Sequence, residues 1–347
     1  MLESQFVFQG DDRWPSCHAS TICQLPGGGF AAAWFAGPKE GSSDSVILGS
    51  KKEGEAWSPP QVWVDVAHKA AGNPKLFRGK GDDVRLVAPV NYGEWCGGGS
   101  RLFLKRSFDE GESWTDLEIL WDEPGILGKN RPLKLEGGRW ILPVNDEVAW
   151  RPAFLRSEDY GESWELIEVP PGEKRVIQPT LVELSDGSLL AYARSWEGHI
   201  YKMYSTDKGE SWSTPEPTSL PNNNSGIDMT GLDSGNLVLA FNERGLGQGF
   251  REDGRREWGP RNPLVLALST DEGASWPYRV QLEGAKEEGK SYPQDLTEVS
   301  APSQDEYSYP TVIEDAAGLI HVVYTYERRA IKHVALSEEE LLSAPRG

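Results

Sequence analysis

One octapeptide, Ser-x-Asp-x-Gly-x-x-Trp, recurs along this 347-residue chain and limits its fold more than any other feature. Four copies are intact, at residues 107–114, 157–164, 205–212 and 269–276. A fifth, at 50–57, carries Lys52 where the others carry Asp. Each position has a turn-building job. An Asp side chain bonds backbone N–H groups further along, and Gly permits a positive φ. The Trp offers a large apolar face that can pin the turn to a core.

The text around each copy reads as strands. Residues 178–195 give an apolar run, a Ser-Asp-Gly turn and a second apolar run; a third run, 199–205, leads into the octapeptide, and another segment follows it. That is one four-stranded antiparallel blade. The same grammar recurs in four further stretches, and the five octapeptide copies plus a last unit (309–336) that lacks one count six blades. Blades of this length arranged radially protect their sheet edges by repetition. The sequence therefore predicts an all-β, six-bladed β-propeller, with the N-terminal Ser-Gln-Phe-Val-Phe segment free to close the ring as an outer strand. No linker or low-complexity tract divides the chain, which reads as a single domain over residues 1–347.

Composition narrows the partners. With 35 Lys+Arg against 54 Asp+Glu the formal charge is −19, which repels phosphate backbones and anionic lipid. Nucleic acid and membrane surfaces are poor partners for such a chain, whereas a local Arg cluster can still hold a small anion. No apolar run approaches the ~20 residues of a membrane helix, and no signal peptide is visible, so the expected compartment is cytoplasmic. Three cysteines, Cys17, Cys23 and Cys96, are too few and too irregular for a disulfide framework or a metal site. No metal or cofactor is expected.

The octapeptide is the Asp box, and from about Arg13 to Val334 the chain resembles the sialidase (neuraminidase) superfamily. That resemblance implies a six-bladed propeller that binds a sugar carboxylate with three arginines. A tyrosine activated by a Glu would be the nucleophile and an Asp the acid/base. A neutral phenol suits an anomeric carbon that bears a carboxylate, since an anionic nucleophile would be repelled. Carried over position by position, the acid/base slot falls on Asp44, the second arginine on Arg194, the third on Arg261, and the tyrosine on Tyr309, with Tyr307 second. Two positions depart. His18-Ala19-Ser20 stands where the family has Arg-Ile-Pro, and Gln178 stands where it has the activating Glu. Gln178 can hydrogen-bond but cannot take a proton at neutral pH. The chain thus resembles a sialidase-like branch with His-Ala-Ser in place of the first arginine.

Further candidates follow from placement. His18 is the group poised for proton transfer near neutrality, and it reads equally as a satisfied buried histidine. Lys39 and Glu40 lie in a loop after the second strand. Asn130 and Arg131, beside Lys129, begin a strand, as do Asn224 and Asp228 within the run 222–228; all four are candidates for sugar hydroxyls, or for plain turn chemistry. Asp146, Glu147, Trp150 and Arg151 follow the second strand of their blade and are expected on the same rim. His321 and His333 read as core. Three functions fit these residues: an exo-acting glycoside hydrolase that releases a terminal acidic sugar from a glycan; a lyase cleaving beside a uronic acid, with His18 as base; and a glycan-binding propeller without catalysis.

Overall fold

The computed structural model describes residues 3–93, 98–284 and 305–344; Cys96 lies outside them. Six antiparallel sheets follow one another in chain order, and each is a blade of a six-bladed propeller. Their inner strands contain Ser16–Gln24, Lys75–Arg78, Leu133–Lys134, Val176–Glu183, Asp228–Gly231 and Tyr307–Glu314. In blade 6 the outer strand is Glu3–Phe8, which pairs antiparallel with Ala330–Ser337. The N-terminal segment thus closes the ring, as the sequence predicts. One short helix, Glu338–Leu342, follows, capped by Ser337 and Glu340.

The core is a ring of six hydrophobic clusters, one at each contact between neighbouring blades. The central strands of each blade, such as Phe30–Gly37, Val84–Asn91 and Leu237–Asn242, are buried on both faces, which is why they read as continuous apolar runs. The Asp-box tryptophans supply part of this glue. Trp212 of blade 4 stacks on Phe154 of blade 3, with ring centroids 3.9 Å apart. Trp276 of blade 5 meets Tyr192 of blade 4 at 5.9 Å, and Trp114 of blade 2 meets Trp63 of blade 1 at 5.0 Å. Such contacts add ~0.5–1.5 kcal/mol each beyond the area they bury.

Within a box, the Ser157 hydroxyl donates to Asp159 (2.8 Å) and accepts from the Gly161 N–H (2.7 Å), while Asp159 accepts from the Ser163 N–H (2.9 Å). The turn needs two successive positive φ values, 64° at Tyr160 and 78° at Gly161. In the fifth copy Lys52 cannot accept these bonds, and the segment becomes a tight hairpin with Lys52 opposite Trp57. Cys17 and Cys23 are buried free thiols. Among the described residues no helix is long and apolar enough to cross a membrane.

Candidate active site

Three inner strands carry the same irregularity. Pairing with the second strand slips between His18 and Thr21, between Ile177 and Thr180, and between Ser308 and Thr311. Within each slip one residue takes a positive φ: Ala19 at 55°, Gln178 at 54° and Tyr309 at 52°. A bulge of this kind re-aims a side chain out of the regular pleat. It costs ~1–3 kcal/mol per non-glycine residue and persists only where its surroundings hold it. The threonine that ends each bulge does so. Thr21 accepts from the Leu76 N–H, Thr180 donates to Asp228, and Thr311 donates to the Ser20 carbonyl, each tying its blade to the next.

The bulges of blades 4 and 6 aim Gln178 and Tyr309 at one guanidinium. Nη1 of Arg194 donates to the Tyr309 phenol oxygen and, at 3.1 Å, to Oε1 of Gln178. Nε of the same Arg donates to Oδ1 of Asn224 at 3.1 Å. Arg261 lies 5.3 Å from the centre of the Tyr309 ring and Lys129 6.0 Å. His18 packs on that ring at 4.1 Å between centroids. Tyr309, not Tyr307, belongs to this cluster. Tyr307 is buried in the core between blades 5 and 6, against Tyr326.

A third guanidinium comes from a residue that the motif comparison passes over. Arg328, only 1% exposed, sits at φ 55° in the turn between the second and third strands of blade 6. Its Nε donates to Oε1 of Glu306 at 2.9 Å, and Arg261 reaches the same oxygen at 2.8 Å. Ser308 adds a bond at 2.7 Å. Arg328 also pairs with Glu40, which fastens the loop carrying Lys39, Glu40 and Asp44 to the site. Lys39 and Asp44 on that loop are exposed. The Glu-Arg-Arg run at 327–329 was the available signal, but nothing in its local pattern tells a buried arginine from a solvated one.

The cluster is strongly cationic. Burial, then the fields of Arg328, Arg261, Lys129 and Arg194, hold the His18 imidazole well below its ordinary value, so it is neutral. Its Nδ1 lies 2.9 Å from the Thr325 hydroxyl, and its buried Nε2 has no protein partner. Burial lowers Lys129 to about 8 and Lys75, beside it on the axis, to about 7. Ser20 Oγ, Asn224 Nδ2 and Asn145 Nδ2 are also buried without a partner. Buried polar atoms are rarely left so, and bare polar atoms such as His18 Nε2 and Asn224 Nδ2, on side chains that touch Tyr309 and Arg194, suit a polar ligand.

Not every predicted residue joins the cluster. Arg131 and Asp228 face each other at 2.9 Å near the opposite end of the axis, where a cavity of about 720 Å³ is lined by the later halves of all six inner strands. Both Asp228 oxygens are engaged, by Thr180, Arg131 and the Val312 N–H, so this carboxylate locks blades together. Asn130 does similar work, donating to the Pro179 carbonyl. Asp146 caps the turn of Val148 and Ala149. Arg151 is exposed, whereas Trp150 lies 5.8 Å from Arg194 and does rim the funnel. His321 and His333 are buried and bond each other at 2.9 Å. Among the described residues no group of His, Cys, Asp and Glu could hold a metal.

Six blades, Asp boxes and an arginine-lined funnel around a buried tyrosine define a propeller of the sialidase superfamily. The chain belongs to the family described as BNR repeat-like domain, whose pattern matches residues 28–322. It is 31% identical over 141 residues to an anhydrosialidase from Macrobdella decora, a stretch covering 37% of this chain and 17% of that protein. Among solved structures, the Hadza microbial sialidase Hz136 superposes with a TM-score of 0.77 at 15% identity, over 97% of this chain and 69% of that one. The intramolecular trans-sialidase from Ruminococcus gnavus, in complex with oseltamivir carboxylate, superposes with a TM-score of 0.70 at 17% identity, over 99% of each chain.

Proposed function

We propose that this protein is an exo-acting glycoside hydrolase that releases a terminal, carboxylate-bearing sugar from a glycan, through Tyr309. One observation carries the reading: the Tyr309 oxygen is bonded to Arg194 while Arg261 flanks its ring and Arg328 shares the Glu306 carboxylate with Arg261. Guanidinium groups converging on one pocket suit a planar carboxylate, and a phenol beside them is the nucleophile such a sugar tolerates.

In the first step the Tyr309 oxygen bonds the anomeric carbon and the glycosidic C–O bond breaks. Asp44, on the loop fastened by Glu40 and Arg328, gives its proton to the leaving oxygen. Gln178 cannot take the phenol proton. His18 can, in the tautomer that donates from Nδ1 to Thr325 and leaves Nε2 bare. In the second step water attacks the same carbon and gives a proton to Asp44, and His18 returns the phenol proton as the bond to Tyr309 breaks. Arg194 stabilises the charge that develops on the phenol oxygen in both steps.

The test is product analysis by mass spectrometry with 3′-sialyllactose and with uronic-acid oligosaccharides. Addition of one water to a terminal acidic sugar supports the reading. An anhydro sugar would keep Tyr309 but replace external water by a hydroxyl of the sugar itself. An unsaturated uronate would replace hydrolysis by elimination.

A further inference from the structure

Beside the funnel, three guanidinium groups are racked against one indole. Trp196, at the end of the second strand of blade 4, lies 4.9 Å from Arg255, 5.5 Å from Arg251 and 5.7 Å from Arg175. Trp150 and Trp258 flank it at 5.2 and 5.9 Å and share its cations, Arg175 lying 5.4 Å from Trp150 and Arg251 5.3 Å from Trp258. The indole N–H of Trp196 donates to the Arg256 carbonyl at 3.0 Å, which fixes the ring. Trp150 also meets Arg194, so the rack adjoins the funnel.

Like charges this close repel, and burial together with Arg255 holds Arg175 below its ordinary value. Asp253 and Glu197 offset part of this repulsion at Arg175, but each is shared: Asp253 reaches Arg255 at 3.3 Å and Arg251 at 3.9 Å, and Glu197 pairs with Lys174 at 3.3 Å. Arg175 makes no ion pair among the described residues. In a chain of formal charge −19, arginines gathered on aromatic faces and left short of counter-charge form a preorganised anion receptor.

We propose that the Trp196 cluster is a second anion subsite. It takes the carboxylate or sulfate of the sugar next to the one held by Arg194, and so selects glycans with two adjacent acidic groups. This rests on the reading that the funnel takes an acidic sugar. Calorimetry on the Tyr309→Phe protein, in which binding is expected without turnover, separates the two. The probes are 3′-sialyllactose, its sulfated derivative, and a disialyl lactose. The expected result is at least fivefold tighter binding of a doubly acidic probe, with Arg175→Gln and Arg255→Gln removing that gain while leaving 3′-sialyllactose unchanged. Whichever of the sulfated and disialyl probes gains more names the anion. Equal affinity for all three probes, or a gain that survives both substitutions, overturns the subsite and leaves the funnel reading intact. Binding of none of them overturns both.

Discussion

Arg194 and Tyr309 are joined by a hydrogen bond from Nη1 to the phenol oxygen, and the same nitrogen holds Gln178 at 3.1 Å. Because Gln and Glu share a shape, Gln178→Glu places a proton acceptor beside the phenol without repacking. Turnover of an acidic glycoside should then rise about a hundredfold, at the low end of what a positioned base supplies. Steady-state kinetics checks this. An unchanged or lower kcat would show that the native proton route through His18 is already sufficient.

Glu306 is fully buried and accepts from Arg261, Arg328 and Ser308. Removing one charge of such a network strands the others, at ~3–5 kcal/mol. Glu306→Gln should therefore shift the urea midpoint by that equivalent and weaken binding of an acidic sugar. A loss under ~1 kcal/mol would mean that solvent reaches the group.

The blades were legible because a turn is a local object. Ser157, Asp159, Gly161 and Ser163 bond one another within a single turn, so a short stretch of sequence specifies the geometry. Closure of the ring by the N-terminal strand followed from counting blades. The candidate cluster was legible only where a motif fixed a position, as for Tyr309, Arg194 and Arg261, which the fold brings together. Arg328 was not, since its role depends on Glu306 and Glu40, the latter 288 residues away in blade 1. The Arg131 and Asp228 pairing crosses from blade 3 to blade 5, 97 residues apart, which strand-level patterning does not encode.

Acid should unfold the propeller in two stages. Burial holds His321 below its ordinary value and His333 down to about 3, so both are neutral in the folded protein and protonate more readily once unfolded. Stability should fall as pH drops below about 6.5, where the unfolded histidines charge. Bonds from Ser113 and Ser107 hold the box carboxylate of Asp109 at about 2. Its contribution is present above the unfolded carboxylate range near 4 and is lost as pH falls toward 2. Melting temperature against pH checks both. His333→Asn should flatten the first stage, and a curve flat from pH 7 to 5 would contradict the buried-histidine account.

The central claim is that Tyr309 is the covalent nucleophile of a glycosidase acting on an acidic sugar. A 3-fluoro sialyl fluoride, which traps such an intermediate, tests it most directly when followed by intact-protein and peptide mass spectrometry. The account predicts one added fluorosialyl group per chain, located on Tyr309 and absent from Tyr309→Phe. No adduct, or one on another residue, would contradict it.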